Sequence, residues 1–141
     1  MKEVKIKIES TVEELDDAGL TESSEKTETS AKGFIDGNED KIKITYSETE
    51  ENVTTGTLIT VTSGEVSVRR EGGVEYEFVF REGESTSSIY SVPPYSFDTE
   101  IYTRKIRNTL KDTAGEISLL YDMTIGGAKK RTRMKIKVMQ K

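Results

Sequence analysis

Residues 117–125 read Ile117-Ser118-Leu119-Leu120-Tyr121-Asp122-Met123-Thr124-Ile125. Ile117, Leu119, Tyr121, Met123 and Ile125 stand at every second position. Successive side chains of a strand point to opposite faces, so this spacing predicts a strand with one apolar, buried face. Gly126-Gly127 follows, then a second alternating run in which Met134, Ile136 and Val138 share a face. Two alternating runs joined by a glycine pair predict a hairpin, because glycine accepts the positive φ of a tight turn.

The same pattern extends back along the chain. Val4, Ile6 and Ile8 alternate with charged residues, as do Ile42, Ile44 and Tyr46. Ile59 with Val61 and Val66 with Val68 make short rows, and Val74, Tyr76, Phe78 and Phe80 make a longer one. Phe97, Thr99, Ile101 and Thr103 form a mixed row. Turn signals separate the runs at Asp36-Gly37-Asn38, Ser63-Gly64, Gly72-Gly73, Glu82-Gly83 and Ala114-Gly115. Eight to ten such strands predict an all-β domain over residues 1–141, closed into an antiparallel barrel because closure removes exposed edges. At most one short helix is expected. Thr11-Val12-Glu13-Glu14 fits a capping box opening one helical turn, and it fits a mobile hairpin loop equally well. Thr27 to Phe34 is expected to be a strand. The double proline of Val92-Pro93-Pro94-Tyr95 predicts a bend or an edge.

Composition narrows the chemistry. The chain has 141 residues, no histidine and no cysteine, with a net charge of −5. Disulfides, His/Cys metal sites and histidine-based nucleophilic mechanisms are therefore excluded. No apolar run approaches the length needed to span a bilayer, and the N-terminus lacks the apolar centre of a signal peptide. A cytoplasmic protein without a cofactor or metal is expected. The paired glycines lack the strand–loop–helix setting of phosphate loops. Asp98, Glu100 and Asp122 are the carboxylates nearest the apolar rows, but no spacing brings two of them together for acid–base work.

The order of these landmarks resembles the YwiB-like proteins, a family of small bacterial β-barrels of calycin type and unknown function. The resemblance rests on Gly33-Phe34, Lys41-Ile42-Lys43-Ile44-Thr45-Tyr46-Ser47-Glu48, Thr57-Leu58-Ile59-Thr60-Val61 and Val66-Ser67-Val68-Arg69-Arg70-Glu71-Gly72. It continues through Phe80, Gly83, Thr86, Tyr90 and Pro93-Pro94-Tyr95 to Leu119-Leu120-Tyr121-Asp122-Met123 and a basic final strand. The bend after Tyr90 departs from the family's Thr-Pro-aromatic-Gly turn by lacking the glycine. The resemblance implies a lipocalin-like barrel in a Gram-positive-type cytoplasm and supplies no catalytic residue.

Two candidate sites follow from the residues. Tyr46, Tyr76, Phe78, Tyr90 and Tyr121 lie on inward rows, and Arg70 flanks one of them; together they suit a small apolar or amphipathic ligand inside or at the mouth of the barrel. Arg70 and Arg81 are each placed either across an aromatic ring at a barrel end or on an exposed hairpin. The second candidate is the face Lys129, Arg131, Arg133, Lys135 and Lys137 of the final strand. Such a row either meets an acidic protein or nucleic acid or is balanced by acidic neighbours from the N-terminal half. Net acidity and the lack of interleaved aromatics argue against nucleic acid. The expected function is a non-enzymatic small-molecule-binding barrel; the alternative is an interaction module using the basic strand. A hydrolase or isomerase built on carboxylates and tyrosine ranks third. Oligomeric state is open, with a dimer among the possibilities.

Overall fold

The computed structural model describes residues 1–38, 40–111 and 113–140. Ten antiparallel strands form a single sheet, and the described residues contain no helix. In chain order they are β1 (Lys2–Leu15), β2 (Thr21–Gly37), β3 (Lys41–Glu50), β4 (Val53–Thr62) and β5 (Glu65–Glu71). Then come β6 (Tyr76–Phe80), β7 (Ser85–Val92), β8 (Tyr95–Asn108), β9 (Gly115–Ile125) and β10 (Ala128–Gln140). The strand order is β6-β5-β4-β3-β2-β1-β10-β9-β8-β7. Two meanders, β1–β6 and β7–β10, are thus joined where β1 pairs with β10, in a register running from Val4↔Gln140 to Leu15↔Lys129.

The sheet curls until β6 meets β7 and the barrel is nearly closed. This last seam is built differently from the others. One isolated bridge, Glu75↔Ser91, supplies two backbone hydrogen bonds of 2.8 and 2.9 Å. Along the rest, side chains substitute for the ladder: the Thr86 hydroxyl donates to the Val79 carbonyl and the Ser88 hydroxyl to the Glu77 carbonyl, each at 2.6 Å. Hydroxyls on β7 thereby satisfy carbonyls that a regular neighbour would otherwise take.

The core follows the alternation read from the sequence. Ile6, Ile44, Val68, Phe78, Phe80, Leu119, Tyr121 and Ile136 are all buried, with Ile59, Ile101, Ile117 and Val138 beside them. Phe97 departs from its row: Thr99, Ile101 and Thr103 are buried, but Phe97 lies near the start of β8 and is 40% exposed. A register shift between Thr103 and Lys105 then turns Lys105 and Arg107 outward.

The segment 10–32 corrects the sequence reading. Thr11–Glu14 is neither a helical turn nor a loop. It continues β1, because Thr11 to Leu15 pair with β2 on one side and with Arg133 to Lys129 on the other. The chain turns only at Asp16–Leu20, where the Asp16 carboxylate accepts from the Ala18 and Leu20 amides. The strand expected over Thr27–Phe34 starts six residues earlier. The proline bend stands where expected, as the turn between β7 and β8.

Candidate functional site

Register sets the interior of one end of the barrel. Tyr46 on β3 faces Thr57 on β4, Thr57 faces Arg70 on β5, and Arg70 faces Tyr76 on β6. A second row runs Thr103–Tyr121–Thr132 across β8, β9 and β10. Inward parity makes both rows line the interior, because directly opposed residues in antiparallel strands share a face.

Aromatic rings join the two rows. Tyr76 stacks on Phe78 with centroids 4.0 Å apart and on Tyr90 at 5.5 Å. Phe78 meets Phe80 edge to face at 6.5 Å, and Phe80 reaches Tyr121 on the far wall at 4.6 Å. These contacts fill the middle of the barrel with side chains. Five of the six residues singled out in the sequence thus form one connected set of rings and hydroxyls with Arg70: Tyr46, Tyr76, Phe78, Tyr90 and Arg70. Tyr121 joins it through Phe80.

Arg70 is the cation of this set. Its guanidinium donates to Glu48 at 3.4 Å and lies beside the Tyr76 hydroxyl. Its Nε is buried without a partner among the described residues, as is the Thr103 hydroxyl, whereas the Thr57 and Thr132 hydroxyls lie against the phenols of Tyr46 and Tyr121. Burial pushes the Tyr76 hydroxyl above its ordinary pKa, against the opposing pull of Arg70. Burial raises Tyr121 further still, so both phenols stay neutral and remain donors at physiological pH. Arg81 is different: it sits at the surface in an ion pair with Glu65 at 2.7 Å.

The basic row of β10 faces outward and is largely balanced. Arg131 donates to Asp122 at 2.8 Å, Arg133 lies 4.0 Å from Glu13, and Lys137 is 3.4 Å from Glu9. Asp122 also holds Arg104 at 2.6 Å. Burial would raise the Asp122 carboxyl, but hydrogen bonds from Arg104 and Arg131 outweigh it and leave its pKa below the ordinary value. Asp122 is therefore a clamp between two arginines. Asp98 and Glu100 are exposed. Among the described residues, Lys129 and Lys135 have no ion pair. Beside them an outer groove of about 380 Å³ is lined by Lys105, Arg107, Arg133 and Lys135, with Ser118 and Leu120 between. No cluster of acidic side chains capable of holding a metal occurs among the described residues.

Sequence reasoning missed Glu48, Thr57 and Thr132, and took Thr103 only as a polar member of its row. Their signal was parity. Thr57 shares a face with Ile59 and Val61, Thr132 with Met134 and Ile136, and Glu48 with Ile44 and Tyr46. The sequence reading also missed the hydroxyl-bonded seam at Thr86 and Ser88.

Comparison with known proteins agrees with this architecture. The sequence model of the domain of unknown function DUF1934 matches residues 6–136. The uncharacterized β-barrel protein YwiB of Bacillus subtilis (strain 168) is 31% identical over 94 residues, which cover 67% of this chain and 66% of that protein. The crystal structure of the ywiB protein from Bacillus subtilis superposes with a TM-score of 0.76 at 26% identity, covering 97% of this chain and 93% of that one. No helix among the described residues is long and apolar enough to cross a membrane. On sequence and fold together, this chain belongs to the DUF1934 family and is homologous to the uncharacterised barrel YwiB.

Proposed function

We propose that this protein is a non-enzymatic, cytoplasmic barrel that holds a small amphipathic molecule at the Tyr76–Arg70 end of its interior. The observation that carries the reading is Arg70 Nε, a buried donor without a partner among the described residues, with the buried Thr103 hydroxyl likewise unpaired on the far wall. A buried donor left unpaired costs about 1–3 kcal/mol, so such groups are normally bonded to water or to a ligand. Arg70 adjoins a shelf of stacked rings that begins at Tyr76 and offers an apolar face to the same molecule. An anionic head against Arg70, in competition with Glu48, and a flat apolar body on Tyr76 and Tyr90 would use both. The nearly closed barrel supports the same placement, since barrels of this size can hold one small ligand at or inside a mouth.

The probe that matches this chemistry is 8-anilinonaphthalene-1-sulfonate. The folded protein is expected to bind one equivalent with enhanced fluorescence, and Arg70→Met is expected to weaken binding by about tenfold or more while leaving the fold intact. Native mass spectrometry of freshly purified protein supplies the second arm by revealing any retained ligand. A folded protein that neither binds the dye nor carries added mass would reduce these polar atoms to sites for buried water.

A second reading uses the outer groove of Lys105, Arg107, Arg133 and Lys135. Four cations around a half-buried leucine, against one carboxylate at Glu116, suit an acidic protein segment. Salt-sensitive binding to a polyanion, with no dye bound inside, would favour this reading over the first.

A further inference from the structure

β2 has a long bare edge. It pairs with β1 from Thr21 to Ile35, but with β3 only from Gly33 to Gly37. At Gly33 the two strands part, and β3 continues from Ser47 to Glu50 with β4 alone. Among the described residues, no strand covers β2 from Thr21 to Lys32 on that side. Along these twelve residues every second one presents its backbone donor and acceptor to solvent, which makes the edge a template for another strand.

We infer that the occupant of this edge is the same edge of a second copy, paired antiparallel about a two-fold axis through Thr27. The sequence of the edge argues for it. Its outward residues are Glu22, Ser24, Lys26, Glu28, Ser30 and Lys32. With Thr27 opposite Thr27 of the other copy, Glu22 faces Lys32, Ser24 faces Ser30 and Lys26 faces Glu28, and each pair occurs twice. On the inward face Glu25 meets Thr29 and Ser23 meets Ala31. No like charges are opposed. Neighbouring registers lack this property. An axis through Glu25 opposes Glu22 to Glu28, and one through Lys26 opposes Lys26 to itself. An axis through Glu28 opposes Glu28 to itself, and one through Thr29 opposes Lys26 to Lys32. An axis through Ser24 or Ser30 opposes no like charges either, but pairs only Glu22 with Lys26 or Glu28 with Lys32; opposite-charge pairs stabilise a sheet, so the row favours the Thr27 register, which makes twice as many. Glu28 already meets Lys7 at 3.3 Å and would lie between two cations.

A second observation falls at the same place. Continuing the register past the last paired residues brings Leu20 of each copy towards Phe34 of the other. Leu20 is 66% exposed and Phe34 40% exposed, both unusual for large apolar side chains. Phe34 lines an outer groove of about 810 Å³ with Leu58, Gly56 and Arg69, beside the point where β3 leaves β2. The apolar residue at the tip of one hairpin thus has a receptacle on its partner. The arrangement is isologous, with the same patch used by both copies.

Thr27→Cys and a pair of charge variants test this on the full chain. The protein has no other cysteine, and directly opposed residues of antiparallel strands lie within disulfide range. Thr27→Cys is expected to oxidise rapidly to a covalent dimer. Ser24→Cys, whose two thiols would sit about 20 Å apart in this register, is expected not to. In sedimentation, the unaltered protein is expected to form a two-copy species. Lys26→Glu with Lys32→Glu makes the row wholly acidic, and Glu22→Lys with Glu28→Lys makes it wholly basic. Each double variant alone is expected to raise the dimer dissociation constant by about tenfold or more, and mixing the two is expected to restore dimers. A monomer at every concentration, equal oxidation of the two cysteine variants, or a mixture that stays monomeric would overturn the proposal.

Discussion

Tyr121 shows how one residue reports the state of the interior. Its ring packs against Phe80, and its cross-strand neighbours are Thr103 and Thr132. Burial holds its hydroxyl in the neutral form well above the ordinary value of 10.0. A raised pKa means that the fold prefers the protonated phenol. The stabilisation is complete below the unfolded pKa near 10 and is lost as pH rises beyond it. Urea unfolding at about pH 9 and pH 11 is expected to show a steep loss of stability that Tyr121→Phe makes shallower; equal losses in both proteins would place the hydroxyl in water. Tyr121 was legible as an inward residue because it sits in a five-membered apolar row. Thr57 and Thr132 were not, because a threonine suits a strand equally well at the surface and in the interior. Parity gives the direction of a side chain and says nothing about what lies beyond it.

At the scale of elements, β10 illustrates charge balance along a strand. Replacing Arg133 and Lys135 by glutamate would set new carboxylates beside Glu13 and opposite Glu9. The melting temperature is expected to fall, more at low salt than at high, since like charges opposed across a ladder are destabilising and salt screens them. A level or rising melting temperature with lost heparin binding would mark the strand as an uncompensated binding surface. The sequence showed the basic row and the need for acidic neighbours, but not which strand supplied them, because pairing between the two ends of a chain leaves no local trace. β2 was the least legible element. From Thr21 to Glu28 every residue is exposed, so no apolar row exists for alternation to reveal. Only the backbone ladder to β1 makes that stretch a strand. The outward rows of β8 were likewise hidden by the shift at Thr103–Lys105, which changes parity without any glycine to announce it.

For the whole molecule, the Phe80–Tyr121 contact ties β6 to β9 across the interior, bracing the barrel where its seam has hydroxyls in place of a ladder. Phe80 is 1% exposed. Phe80→Ala is expected to cost about 3–5 kcal/mol in denaturant unfolding; a loss below about 1 kcal/mol would show that the walls are held independently. The barrel itself was readable because eight alternating runs with short turns leave few other ways to bury one face of each. The near-closure at β6 and β7 was not, since Thr86 and Ser88 read as ordinary polar positions of a surface strand.

The pairing of β1 with β10 has a consequence for synthesis. Strands that are neighbours in the finished sheet emerge from the ribosome at opposite times. β1 to β6 can zip into hairpins as they appear, yet one long edge of β1 stays bare until residues 129–140 arrive. That edge is a nucleus for mispairing with other nascent chains for the whole time of translation. Lys5, Lys7, Glu9 and Glu13 stand along it and keep it soluble by their charge. The ion pairs of the mature barrel thus begin as guards on an unfinished strand, and their partners end the vigil when β10 is made.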